Sequence, residues 1–251
     1  MKFLLAGEGS SDLGSMHPDG TLKKGAMTLL IDVIAQKSCG MRPEYCLVSE
    51  KQLKALKKQD RRNTMGRSTE YKPFEEVFLS AQYLGKYSKN IFPDEEYAGV
   101  VFFKDSDGTN AAPRRLWEGI VKAMQAGFRM SGNKYGVPMV PRPKSEAWLM
   151  GYYQKNLPGQ QAYNHCERFE DMPGNDGSPN ALKTLLKTAL NTAGDVYDLI
   201  GKDEIDAIDW ERVDMPSLNL FRKRLENVLA AMTGAAYPHP IAETQLAGRG
   251  L

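Results

Sequence analysis

The apolar residues in the first part of the chain alternate between short continuous runs and longer stretches with helical spacing. Four continuous runs lie at 2–6, 45–48, 97–103 and 137–140. Runs of this length, bounded by glycine, proline or charged residues, predict buried strands. Three stretches with apolar residues three and four positions apart predict helices near 26–40, 74–81 and 116–127. Strands that alternate with helices favour an α/β fold, with a mainly parallel sheet flanked by helices.

The pattern changes near residue 152, after which only helical spacing remains. Two predicted helix faces carry the apolar residues, Leu182, Leu185, Leu186 and Ala189 on one, and Leu218, Phe221, Leu225, Val228 and Leu229 on the other. We therefore expect residues 1–151 to form the α/β core and residues 152–251 to form a helical C-terminal region. The tail after Gly234 has two prolines and little periodicity, so we expect it to be loosely held.

Composition places the chain among folded proteins. Of its 251 residues, 41% are hydrophobic and 25% are charged, which excludes intrinsic disorder and a fibrous protein. No apolar run approaches the roughly 18–20 residues of a membrane span, and no secretory signal is present, so we expect a cytoplasmic protein. Three scattered cysteines argue against a disulfide framework and a structural zinc site. The net charge of +2 indicates no partner, so only local charge is informative.

Acidic residues follow two of the predicted strands. Glu8 and Asp12 come after the first strand, and Asp105 and Asp107 come after the strand at 97–103. The carboxyl ends of parallel strands meet at one edge of a sheet, where ligands bind. Crowded carboxylates repel one another, and Mg²⁺ or Mn²⁺ relieves this repulsion with the oxygen ligands it prefers. The pattern therefore predicts a metal site at this edge.

The segment Asp105-Ser106-Asp107-Gly108 has two other interpretations. Aspartate and glycine are common in turns, so the segment is also compatible with a plain loop. A calcium-binding loop requires a glutamate at its twelfth position, which here is Leu116. The calcium loop is therefore excluded, and the acids after the first strand favour the metal site over the plain loop.

The segments Gly7-Glu8-Gly9-Ser10-Ser11-Asp12 and Lys104-Asp105-Ser106-Asp107-Gly108 together resemble the Toprim domain. That domain occurs in topoisomerases, primases, recombination proteins and the overcoming-lysogenization-defect nucleases. The later segment Ser145-Glu146-Ala147-Trp148-Leu149 resembles a Toprim-like family of small bacterial and phage proteins. Two further segments resemble parts of the same family, Ser178–Lys183 and Met215–Phe221.

The resemblance implies roles for individual residues. Glu8, Asp105 and Asp107 would be catalytic acids that bind the metal, and Asp12 and Glu146 would be further metal ligands. Independently of the resemblance, Lys144 and Arg142 precede Glu146, and in a metal site they would steady a phosphate, Lys144 as a catalytic cation and Arg142 as a nucleic-acid contact. A solvated strand end explains the same two residues without any ligand. The implied activity is Mg²⁺- or Mn²⁺-dependent cleavage of nucleic acid, more readily DNA than RNA. The family also suggests a role in phage defence or DNA processing, beside a separate ATPase partner.

Residues 51–72 form a basic segment that offers a path for a phosphate backbone. Its candidate nucleic-acid contacts are Lys54, Lys57, Lys58, Arg61 and Arg62. Arg114 and Arg115, at the start of the helix after the acidic pair, would extend this path. A solvated helix and loop explains the same run of charges without any partner.

Two rival functions remain open at this point. One is a catalytically silent Toprim-like module that binds nucleic acid or an ATPase partner. The other is a metal-dependent phosphoryl enzyme that acts on a small nucleotide, for which the basic segment would be irrelevant. ATP hydrolysis by a P-loop is excluded because the chain contains no such motif.

Overall fold

The computed structural model describes residues 1–60, 69–93, 98–106, 113–174 and 181–246. The strands are β1 (Lys2–Gly7), β2 (Gly14–Met16), β3 (Leu22–Lys24), β4 (Glu44–Val48), β5 (Ala98–Phe103) and β6 (Gly136–Met139). The helices are α1 (Ser10–Leu13), α2 (Ala26–Cys39), α3 (Glu50–Asp60), α4 (Glu75–Ile91), α5 (Pro113–Met130), α6 (Ser145–Tyr153), α7 (Leu182–Ala189), α8 (Lys202–Asp206) and α9 (Pro216–Thr233). Short 3₁₀ turns connect several of them, including one at Val196–Asp198.

Four parallel strands form the central sheet in the order β4-β1-β5-β6. In the register of the sheet, Phe3 lies beside Tyr45 on one side and Gly99 on the other. Helices cover both faces, so the predicted α/β class with a parallel sheet is confirmed. All four predicted strands and the three helices predicted in the core are present. The first of these helices ends at Gly40, as predicted, and this glycine has a left-handed conformation.

Alternating side chains of the strands divide the core into two layers. Phe3 and Leu5 of β1 face a layer that includes α2, α6, α7 and α9. Leu4 and Ala6 of the same strand face a second layer, which includes α3, α4 and α5. This alternation is the two-residue period of a strand that is buried on both faces.

The C-terminal helices pack directly on the first of these layers. Leu225 and Leu229 of α9 belong to the same buried cluster as Leu30 and Ile34 of α2. The described residues after 152, at 153–174 and 181–246, form helices and no strands, as predicted. The predicted boundary at 151/152 falls inside α6, and residues on both sides of it share one core.

Two local expectations were wrong. The helix α5 does not end at Gly127 but continues to Met130. The glycine at this position allows close packing against α4 and does not mark a helix end. A Cβ atom at Gly127 would lie 2.4 Å from the carbonyl oxygen of Phe78. The stretch 14–25, before α2, contains an antiparallel hairpin of β2 and β3.

The second expectation concerned the tail, whose described part is packed rather than loose. The side chain of Asn227 accepts a hydrogen bond from the backbone N–H of His239 (3.0 Å) and donates one to its carbonyl oxygen (2.8 Å). Thr244 is fully buried, and its carbonyl oxygen accepts a bond of 3.2 Å from Gln125. Polar side chains therefore hold a segment that lacks apolar periodicity.

None of the helices within the described ranges combines the length and apolar character that crossing a membrane requires.

Candidate acidic site at the carboxyl edge of the sheet

The loop after β1 brings Asp12 to the carboxyl edge of the sheet. A Cβ atom at Gly7 would lie 2.3 Å from the carbonyl oxygen of Phe103, so only glycine allows β1 and β5 to end side by side. Gly9 has a φ of 88°, and a Cβ atom there would lie 2.3 Å from Asp12 Oδ2. The two glycines of the motif thus admit a close neighbouring strand and a buried carboxylate.

The start of α6 brings Asp105, Ser145 and Glu146 to the same edge. The segment from β6 turns into α6 at Ser145, whose backbone N–H donates a hydrogen bond of 3.2 Å to Asp105 Oδ1. An acidic acceptor at this place satisfies one of the free N–H groups at the helix N-terminus. Glu146, the next residue, is only 5% exposed.

Three hydroxyl and carboxylate oxygens form a closed triangle beside these acids. Ser145 Oγ lies 2.6 Å from Asp12 Oδ1 and 2.6 Å from the hydroxyl of Tyr197. The Tyr197 hydroxyl completes the triangle at 3.0 Å from the same Asp12 oxygen. Tyr197 comes from the C-terminal region, so the site is built from both parts of the chain.

Burial disfavours the ionised form of the carboxylates at this site. Burial raises the pKa of Asp12, although hydrogen bonds from Ser145 and Tyr197 lower it in part. Burial also raises the pKa of Glu146, and the nearby charge of Asp12 raises it further. Burial raises the pKa of the Tyr197 hydroxyl, as do the charges of Glu146, Asp12 and Asp105. These three carboxylates therefore share one electrostatic environment.

Lysine side chains supply the opposing charge. Lys183, half-buried on α7, offsets part of the rise in the pKa that burial causes at both Asp12 and Glu146. Lys144, directly before α6, also lowers the pKa of Glu146. The site thus combines buried acids with cations from two directions, which is an arrangement suited to a ligand that carries phosphate oxygens.

Glu8 makes a different contact. Its two carboxylate oxygens lie 2.9 and 3.1 Å from Lys104 Nζ, a residue that the sequence prediction leaves out. Both residues line a cavity of about 190 Å³, to which α3 contributes Lys54 and Lys57. The structure thus places Asp12, Asp105 and Glu146 at one edge of the sheet, where Ser145 contacts both aspartates, and it directs Glu8 towards the basic helix α3.

The donor set at the edge matches the chemistry of Mg²⁺ or Mn²⁺ in type. Its candidate donors Asp12, Asp105 and Glu146 are carboxylates, which are the groups that hard divalent cations prefer. The hydroxyl of Ser106, which follows Asp105, is buried and has no hydrogen-bond partner in the part of the chain that the structure describes. Among these same residues, however, no group of three candidate ligands lies close enough to hold one ion. Asp107 lies outside the described residues, so the predicted ligand set is not covered in full.

No family model, curated protein or solved structure matches this chain.

The lysines of α3 that were predicted to contact nucleic acid differ in their exposure. Lys54 and Lys58 are exposed on α3, and Lys54 pairs with Glu50 at 2.5 Å. Lys57 points inward, with Nζ 3.1 Å from Glu76 and 3.0 Å from Ser80. Arg61 and Arg62 lie outside the described residues.

The predicted arginine contacts differ in their surroundings. Arg114 and Arg115 are exposed at the start of α5, where Arg114 pairs with Glu118. Arg142 is buried, and its guanidinium lies 3.0 Å from Glu170 and 3.3 Å from Asp171. Through these contacts Arg142 links the segment after β6 to the segment before α7, which is a structural role.

Sequence reasoning missed three residues of the site. Ser145 directly precedes Glu146, and its place at a helix start was the available signal. Lys183 ends the segment Ser178–Lys183, whose resemblance to the family implies no role for the lysine. Tyr197 offered no signal, because it lies in a stretch without clear periodicity.

Proposed function

We propose that this chain is a Mg²⁺- or Mn²⁺-dependent phosphodiesterase that cleaves nucleic acid, most readily DNA. The observation that supports it best is the meeting of Asp12, Asp105 and Glu146, from three segments of the chain, at the carboxyl edge of a parallel sheet. Burying like charges destabilises a protein, and functional sites are where such costs are retained. The resemblance of these segments to the Toprim domain supports the same activity.

The acids named above would hold the metal, together with Asp107, and Glu8 would join them by giving up its ion pair with Lys104. A divalent cation in such a site supplies a nucleophilic water at neutral pH and offsets negative charge on phosphate oxygens. Lys183 and Lys144 would bind the phosphate that is cleaved, since both already act electrostatically on the acidic cluster. Ser145 and Tyr197 hold Asp12, and the N–H of Ser145 holds Asp105.

Cleavage of supercoiled plasmid and of single-stranded DNA, with Mn²⁺, Mg²⁺ or EDTA, tests this function. We expect cleavage that requires the metal and is abolished in Asp12→Asn and in Asp105→Ala/Asp107→Ala. We also expect Lys183→Gln to reduce cleavage by about 10²–10³-fold, the range found when one stabilising group beside a developing charge is removed.

Asp32→Asn is the matched control, because Asp32 is a buried aspartate outside the site that pairs with Lys24. Its cleavage should equal that of the wild type once circular dichroism shows that it is folded. Cleavage that persists in the acidic-site variants would contradict the proposal, because the activity would then arise elsewhere.

A silent binding module is the second candidate, and specific contacts favour it. Asp12 and Asp105 already accept hydrogen bonds from Ser145, Glu8 is paired with Lys104, and the described residues hold no three-ligand group. Under this alternative, the folded protein would bind DNA or an ATPase partner without cleaving it at any metal concentration. Fluorescence anisotropy with labelled DNA, beside the cleavage assay, separates the two functions.

A role in phage defence beside an ATPase rests on the resemblance alone. Co-purification with a partner that hydrolyses ATP, and metal-dependent cleavage that increases when this partner is added, would support it.

A further inference from the structure

We infer that Tyr197 is a positioning residue that holds Asp12 in the orientation required for metal binding, so that the C-terminal region completes the acidic site. This inference rests on the proposed function, because it assigns a role within the same site. It concerns a residue that contacts no substrate itself and acts through the carboxylate of Asp12.

Asp12 needs support from outside its own segment. It lies on α1, a single helical turn of four residues that follows Gly9 with a φ of 88°. One isolated turn is too short to be stable by itself and does not fix its side chains. Asp12 is nevertheless 7% exposed and hydrogen-bonded, so its orientation is set by the residues packed around it.

The support comes from Tyr197 and Ser145. Tyr197 Oη lies 3.0 Å and Ser145 Oγ 2.6 Å from the same oxygen, Asp12 Oδ1. Both donors therefore act on one oxygen, and neither bonds Oδ2 in the described part of the chain. This arrangement fixes the carboxylate plane through Oδ1, while Oδ2 lies against Gly9, where a Cβ atom would be 2.3 Å away.

Tyr197 is itself held firmly. Its own backbone N–H donates a hydrogen bond of 3.1 Å to Asp195 Oδ1, which caps the turn Val196–Asp198. Val196 and Ile200, on either side, are buried in the layer that contains α2 and α9. The hydroxyl thus belongs to a segment that is anchored in the core. A metal site needs such rigid support to keep its ligands in the required geometry.

The test compares Tyr197→Phe with Tyr45→Phe in the full chain. The Tyr45 hydroxyl donates a hydrogen bond of 2.8 Å to Asp32 Oδ1, so both variants remove one tyrosine–aspartate bond, and Tyr45 lies outside the site. Binding of Mn²⁺ alone is measured by calorimetry, and cleavage is measured as a function of Mn²⁺ concentration. Thermal unfolding without metal reports whether each variant remains folded.

We expect Tyr197→Phe to weaken Mn²⁺ binding by roughly 10–100-fold, the usual effect of removing a group that orients a metal ligand. The Mn²⁺ concentration for half-maximal cleavage should rise by the same factor, and cleavage at saturating Mn²⁺ should recover towards the wild-type rate. Tyr45→Phe should bind Mn²⁺ as the wild type does.

Three outcomes would overturn the inference in distinguishable ways. Equal Mn²⁺ binding by Tyr197→Phe and wild type would refute the role of Tyr197 and leave the proposed function intact. Equal weakening in Tyr197→Phe and Tyr45→Phe would show a general loosening of the fold instead of positioning. A folded wild type that neither binds Mn²⁺ nor cleaves DNA would refute the proposed function, and the inference with it.

Discussion

At the scale of single residues, the buried carboxylates of the acidic site lower the free energy of unfolding when they are ionised. Asp12 and Glu146 are both less than a tenth exposed, and burial raises the pKa of each. A raised pKa in the folded state means that the folded protein binds more protons than the unfolded chain does. The free energy of unfolding therefore falls as pH rises from the ordinary carboxyl pKa, about 4, through the raised values.

Replacing Glu146 by glutamine should remove part of this cost. We expect Glu146→Gln, without metal, to melt at a higher temperature than the wild type at pH 8 and to differ little at pH 4. A chain of this size gains roughly 2–4 °C for each kcal/mol. Calorimetric melting between pH 4 and pH 8 measures both effects. Glu44→Gln, at an exposed glutamate on β4, should follow the wild type throughout, and a lower melting temperature of Glu146→Gln at pH 8 would contradict the expectation.

Arg142 illustrates how burial changes the interpretation of a charged residue. We expect Arg142→Met to lower the free energy of unfolding by about 3–5 kcal/mol, because the buried Glu170 would lose its cation. Urea unfolding measures this decrease. An unchanged stability together with weaker DNA binding would instead support the contact with nucleic acid that the sequence suggested.

The site could be predicted from the sequence only where its residues follow strands. Asp12, Asp105 and Glu146 stand in the segments that follow β1, β5 and β6, so the topology of a parallel sheet brings them to one edge. Tyr197 and Lys183 arrive from the C-terminal region, whose position depends on packing between distant helices. No local pattern encodes that packing, so these two residues could not be predicted.

At the scale of elements, the contact between α4 and α5 depends on a glycine that sequence reasoning took for a helix end. Alanine in place of glycine inside a helix normally stabilises it by about 0.5–1 kcal/mol. At Gly127 the added Cβ atom would meet the backbone of Phe78 and the side chain of Ala81, at 2.4 and 2.8 Å. The steric cost of separating two packed helices exceeds the gain in helix propensity.

We therefore expect Gly127→Ala to destabilise the protein by roughly 1–3 kcal/mol, as overpacking typically does. Gly194→Ala is the control, because a Cβ atom there would make only an ordinary contact with Thr192 at 3.5 Å. Denaturant unfolding of both variants gives the comparison. A Gly127→Ala protein as stable as the wild type would show that α4 and α5 separate easily.

The helix α3 is the element on which the proposed DNA path depends. We expect Lys54→Gln/Lys58→Gln to weaken DNA binding at low salt and to reduce the slope of log affinity against log salt by about 0.7–0.9 for each phosphate that the protein no longer neutralises. Lys202→Gln is a matched control, because the Lys202–Asp206 pair on α8 has the same spacing and length, 2.5 Å, as the Lys54–Glu50 pair. An unchanged slope in the double variant would leave α3 as a solvated helix face.

At the scale of the whole molecule, the α/β class was predictable because each strand and helix has a local pattern. The packing of the two predicted regions into one core could not be predicted in this way. Periodicity shows that a helix has an apolar face, but it does not show which element that face covers. In the structure, the apolar face of α9 covers α2, and α7 packs beside α6. The C-terminal helices therefore complete a layer of the sheet.

This shared layer predicts a single cooperative unfolding transition. Trp117 lies in the layer of α4 and α5, whereas Trp210 lies in the layer with the C-terminal helices, and Trp148 is the remaining tryptophan of the chain. We expect two variants, one retaining only Trp117 and the other only Trp210, to show the same fluorescence midpoint in urea as the far-ultraviolet circular dichroism of each variant. Removing the C-terminal helices would expose Leu30 and Ile34 of α2, so these helices cannot unfold first without destabilising the sheet and the site it carries. A Trp210 transition at clearly lower urea than the circular dichroism of the same variant would contradict this, and would show that the helical region unfolds independently of the sheet.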